Sequence, residues 1–148
     1  MLRMGEQRKG QATRSSWALL VFAVGGRAMA VRTSEVVTIS QWAGCIPVAS
    51  RTPFIGAVVR QDHAVLPVFD LASALCLRVQ GNNPLCLRVK HPLGDMVMCI
   101  DEEMPVLQTV DASAIKAHHE TTVPAEGSYA SGPDDVPILS IAQLGTSH

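Results

Sequence analysis

Two short apolar runs separated by a polar break dominate the middle of this chain. Phe54 to Val59 is apolar, Arg60-Gln61-Asp62-His63 is polar, and Ala64 to Phe69 is apolar again. Runs of this length around a polar interruption predict a β-hairpin. Pro67 lies inside the second run and cannot donate a ladder hydrogen bond, so it predicts an edge strand or a bulge. Asp70 precedes Leu71-Ala-Ser-Ala-Leu75 and is placed to cap a short helical turn.

The same grammar recurs along the chain. Trp17 to Val24 and Ala28 to Val31 flank Gly25-Gly26, a hairpin signal. Glu35 to Ile39, Leu85 to Val89, Met96 to Ile100 and Pro105 to Val110 are further strand candidates. Met96 to Ile100 is apolar throughout, which suits a strand covered on both faces. Asp111 is placed to cap a helical turn over 112–115. His118 to Val136, rich in Gly, Pro, Ser and Asp, reads as a long loop, and Ile138 to Ile141 as a closing strand. Val21, Val31, Val58, Val68, Val97, Ile100, Val106 and Ile138 are the expected core. Many short strands with frequent turns predict an all-β fold, a small barrel or a sandwich.

With 148 residues the chain suffices for one core and is short for two ordinary domains. The reading is a basic tail over 1–16, one domain over 17–144 and a short tail over 145–148. Net charge is −1, which carries no electrostatic footprint for nucleic acid or an anionic membrane. No apolar stretch approaches the length of a membrane span. Cys45, Cys76, Cys86 and Cys99 sit in apolar sequence without C-x-x-C spacing, and read as reduced, buried small hydrophobes suited to a reducing cytoplasm. The N-terminus has a competing reading. Basic residues, the apolar run from Trp17 to Gly25 and the small residues Ala28 and Ala30 also describe a secretory signal peptide over 1–30. That reading makes the remainder an exported small β-domain.

The catalytic signals are sparse. His63 beside Asp62, the pair Asp70 and Asp101, and His118-His119-Glu120 are the candidates. Each has a plainer explanation: a solvated turn, a cap and a strand end, and a surface loop. A pocket gathering His63 and Asp62 would be needed for an enzyme.

Taken in order, these segments resemble the CheW-like adaptor family of bacterial chemotaxis, which includes CheW, CheV and the C-terminal regulatory domain of CheA. Its hairpin text is close to "i-x-G-v-x-N-L-R-G-x-i-x-P-v-x-D-L". Ile55, Pro67, Val68, Asp70 and Leu71 fall on it, with Gly56 one place early. Val97 to Asp101 with Val106-Leu107, and Pro137 to Leu144, resemble the family's later strands. The likeness covers residues 17–144. It implies two small five-stranded SH3/OB-like barrels packed together with short helical turns and with strands exchanged between them. It also implies a non-enzymatic, cytoplasmic adaptor without cofactors or metals, associated with receptor arrays. The implied partners are the CheW-like domain of a CheA-type histidine kinase and the cytoplasmic tip of a methyl-accepting receptor. A variant serving a pilus or surface-motility pathway fits the same text. Carried over residue by residue, the docking candidates are Val36, Ile39, Ile55, Gly56 and Val58.

The sequence departs from the family at the hairpin turn. Asn-Leu-Arg-Gly is replaced by Arg60-Gln61-Asp62-His63, so the arginine position holds Asp62 and the glycine position holds His63. Histidine adopts φ > 0 only at a cost, so a turn of different shape is one expectation. A rewired contact, with Arg60 supplying the positive charge that Asp62 reverses, is the other.

Overall fold

A computed structural model describes residues 15–117 and 123–145. The strands are β1 (Ser16–Val24), β2 (Arg27–Arg32), β3 (Val36–Gln41), β4 (Ile46–Pro47), β5 (Ile55–Gln61), β6 (Ala64–Phe69), β7 (Leu85–Val89), β8 (Met96–Ile100), β9 (Val106–Asp111), β10 (Ala125–Ser131) and β11 (Asp134–Leu139). A short helix, α1 (Leu71–Ala74), follows β6, and single 3-10 turns follow β2, β9 and β11.

The strands form two sheets with the orders β10-β11-β2-β1-β9 and β3-β7-β8-β6-β5-β4. Apart from the two-residue β4, the two orders correspond strand for strand. Each half of the chain supplies a hairpin, an exchanged strand, a second hairpin and a helical turn. β3 follows the β1–β2 hairpin yet pairs with β7, and β9 follows the β7–β8 hairpin yet pairs with β1. The parallel joints are also equivalent: Ile138 pairs with Ala30, and Val68 with Val97. In both sheets a proline, Pro137 or Pro67, immediately precedes the parallel joint. The expected exchange of strands is present, and the second sheet has six strands where five were expected.

Pro67 does not mark an edge, because β6 lies between β8 and β5. The ladder from β6 to β8 is confined to one register pair, so a missing N–H disturbs little there. The bulge is in the neighbouring strand, where Gly56 is the extra residue between the pairs Ile55–Phe69 and Ala57–Val68. The segment expected to be a long loop carries β10 and the first half of β11 instead, and the closing strand expected over Ile138 to Ile141 is the end of β11, stopping at Leu139. Ala-Glu-Gly-Ser-Tyr-Ala-Ser has little strand propensity, but Gly127 allows a close approach. A Cβ there would lie 2.7 Å from Ile115 Cγ2. Its neighbour Ser128 exchanges backbone hydrogen bonds of 2.8 and 2.9 Å with Lys116, joining the chain after β9 to β10 and closing the first sheet.

The largest core lies between the sheets, with Phe22, Met29 and Val31 facing Leu87, Met98 and Ile100. Leu19, Ala30, Tyr129 and Ile138 fill the first sheet, and Val59, Leu66, Val68, Cys86 and Val97 fill the second. Burial of each such aliphatic side chain contributes roughly 1.5–3 kcal/mol. Of the expected core, Val21 and Val58 are half-buried and Val106 is 58% exposed on the edge strand β9. An edge strand has a covered neighbour on one side only, which frees Val106 and Leu107. Cys86 is buried as expected, Cys99 is half-buried, and Cys45 and Cys76 are exposed, contrary to expectation. Removal of residues 1–30 would delete β1 and most of β2, including fully buried Leu19, Met29 and Ala30. Residues 118–120, most of the basic tail and residues 146–148 lie outside the described residues.

Candidate functional site

The β5–β6 hairpin is built around a two-residue turn, and both turn residues are left-handed: Asp62 at φ 51° and His63 at φ 65°. This is the backbone that a tight hairpin demands. The positive φ is therefore kept although the glycine is gone, and the polar break is shorter than the four residues expected because Arg60 and Gln61 belong to β5.

A polar network secures the base of the hairpin. Gln61 Nε2 donates to Ser40 Oγ at 3.3 Å and to Cys86 Sγ at 3.9 Å, which draws β5 towards β3 and β7 across the second sheet. Arg88 Nη1 donates to Gln61 Oε1 at 3.3 Å, and Arg88 Nε lies 2.9 Å from Asp95. Asp62 completes this arrangement at 3.6 Å from Arg88 Nη1. The Arg88 side chain is only 16% exposed, whereas that of Asp62 is 81% exposed. The reversed charge at the turn thus has a counter-charge supplied by β7. Arg88 was absent from the sequence candidates because only folding brings it beneath the turn.

Two surface cavities flank the hairpin. One, of about 340 Å³, is lined by Trp42, Cys45, Gly56, Phe69, Leu71 and Cys99 among others. The other, of about 390 Å³, is lined by Ile55, Val65, Leu66, His91, Leu93 and Leu144 among others. Val65 is 63% exposed and Leu93 is 90% exposed. His91 organises the second cavity. Its Nδ1 accepts the Leu93 N–H at 3.1 Å, so Nε2 carries the proton it donates to the Leu144 carbonyl at 3.0 Å.

The sequence candidates therefore fall into three groups. Val36 and Ile39 are half-buried on β3 and pack against the main core. Ile55 and Gly56 line the two cavities, one each, and half-buried Val58 faces Ile46 and Pro67. Arg60 is exposed opposite Val65, and Asp62 is exposed at the tip. Leu93 and Val65 were missed. An apolar residue inside His91-Pro-Leu-Gly94, a turn sequence, was the available signal for Leu93.

The catalytic candidates each have a structural account. Asp62 and His63 stand exposed on a turn rather than in a cavity. Asp70 caps α1, accepting the Ser73 N–H at 3.1 Å, as expected. Asp101 is 4% exposed and accepts backbone N–H groups from Gly25, Gly26 and Gln80 at 2.8–2.9 Å. Among the described residues no group of three or more His, Cys, Asp or Glu side chains is arranged to hold a metal. No helix among them is long and apolar enough to cross a membrane.

Comparison with known proteins agrees with this architecture. The model of the CheW-like domain matches residues 18–145. A solved structure, the scaffolding protein TtCheW from Thermoanaerobacter tengcongensis, superposes with a TM-score of 0.75 at 14% identity, covering 86% of each chain. No curated protein sequence matches the chain. The family match spans most of the sequence, and this chain belongs to the CheW-like domain family.

Proposed function

We propose that this chain is a non-enzymatic adaptor that couples a CheA-type histidine kinase to methyl-accepting receptors, working in the cytoplasm at receptor arrays. The observation that carries this reading is the β5–β6 hairpin, whose rigid base and exposed tip stand between two apolar cavities. Such a surface suits protein docking, in which apolar pockets supply affinity and a charged rim sets orientation and on-rate. Ile55, Gly56 and Val65 would supply the apolar contact, and Arg60 and Asp62 the rim. Val36 and Ile39 would act by holding β3 against the core. The chain supplies geometry, with no cofactor. A pilus or surface-motility pathway built from the same parts would use the same contacts.

The test is reconstitution. Receptor-containing membranes and the kinase from the same genome are mixed with and without this chain, and kinase autophosphorylation is followed. The reading predicts receptor-dependent stimulation that saturates with the chain. Autophosphorylation that is indifferent to the chain at every ratio would reject it.

A further inference from the structure

We propose that Cys86 and Cys99 form a redox-active dithiol inside the second sheet, oxidised by low-molecular-weight disulfides to a reversible cross-strand disulfide. Cys86 on β7 and Cys99 on β8 are direct register partners. Opposed residues of antiparallel strands point to the same face with Cβ atoms about 4.5–5.5 Å apart. A disulfide needs a Cβ separation of about 3.5–4.5 Å, so a small local adjustment closes the bond. Both residues are free thiols.

Their access differs in the way a two-step exchange requires. Cys99 is half-buried and lines the 340 Å³ cavity, whereas Cys86 is buried. An incoming disulfide therefore meets Cys99 first. The Cys99 thiolate attacks one sulfur of the reagent, forming a mixed disulfide and releasing one thiol. Cys86 then loses its proton and attacks Cys99 Sγ, releasing the second thiol. One external disulfide is reduced to two thiols as two protein thiols become one disulfide. Burial pushes the Cys99 thiol up to about 12, which makes the first attack slow near neutral pH and faster as pH rises. Bond formation would redirect Cys86 Sγ from Gln61 Nε2, at the base of the hairpin.

The test uses the full chain carrying Cys45→Ser and Cys76→Ser, which retains only Cys86 and Cys99. Circular dichroism first checks that it folds like the parent. After native incubation with oxidised glutathione, remaining thiols are alkylated under denaturing conditions and peptides are mapped by mass. Loss of both thiols to a Cys86–Cys99 link, reversed by dithiothreitol and abolished by Cys99→Ser, is expected. The proposal is overturned if both thiols remain alkylatable, or if only a glutathione adduct or an intermolecular dimer forms. A Cys45–Cys99 link in the parent chain, replacing the expected one, would overturn it equally.

Discussion

The Asp101 carboxylate accepts the Gly26 N–H at 2.8 Å across 75 residues of chain. This bond joins the end of β8, in one sheet, to the β1–β2 turn of the other. Gly25 and Gln80 donate to the same carboxylate. The turn itself requires glycine, since Gly25 and Gly26 have φ of 62° and 80°. Replacing Asp101 by Ala would leave three backbone donors without this acceptor. Gly26 and Gln80 are exposed, so water can take over part of what they lose, and Asp101→Ala should destabilise the fold by about 1–3 kcal/mol in total. Asp101→Asn, which keeps one acceptor oxygen, should cost less. Urea unfolding of both variants measures the difference, and equal midpoints for parent and Asp101→Ala would contradict the bond's role.

His63 occupies a left-handed position at φ 65°. Glycine adopts it without steric cost, although it gives up more entropy on folding. His63→Gly is expected to be neutral to stabilising by up to about 1 kcal/mol, unlike most glycine substitutions in a sheet. Denaturant midpoints would check this. A loss of stability like that of a mid-strand glycine would mean the turn is not left-handed at residue 63.

Glu35 has a buried carboxylate oxygen, Oε1, with no hydrogen-bond partner among the described residues. Burial raises its pKa, with the Glu126 charge adding to the effect and Arg32 opposing it. For a carboxyl whose pKa is higher when folded, the folded state holds the proton more tightly. Its contribution therefore becomes unfavourable as pH rises from the ordinary value of 4.5 through the raised one. Glu35→Gln should stabilise the protein at neutral pH, and the gain should vanish below about pH 4.5. Thermal melts of the two proteins across pH 4 to 7 provide the measurement. A gain that persists undiminished in acid would exclude ionisation as its cause.

Leu93 and Val65 are exposed in the same cavity and contribute little to the core. Leu93→Asp and Val65→Asp should leave the unfolding midpoint within about 0.5 kcal/mol of the parent, as surface changes do. If the cavity is the docking surface, each should weaken kinase-domain binding about tenfold or more, as loss of an apolar anchor does. Unchanged affinity in both would move the contact elsewhere.

Much of this fold was legible in the sequence, for identifiable reasons. Gly25-Gly26, the Asp70 and Asp111 caps and the apolar runs of β5, β6 and β8 are local signals, and local physics decides them. β10 was invisible because its residues are weak strand formers, held in place by the ladder to β11 and by the closure between Ser128 and Lys116. The edge assignment of Pro67 failed because a strand interior in order can still have a one-pair ladder on one side. At the candidate site, Ile55, Gly56, Arg60 and Asp62 were named by likeness of text. Arg88, Val65 and Leu93 were not, because their place there comes from three-dimensional proximity or from exposure, and neither has a sequence period.

The most direct test of the adaptor account is a binding titration of the purified chain against the CheW-like domain of the kinase from the same genome, at two salt concentrations, with Arg60→Ala and Asp62→Arg alongside the parent. The account predicts micromolar or tighter binding by the parent, and altered affinity or salt dependence in at least one variant. Absence of binding by the parent at both salt concentrations would contradict it.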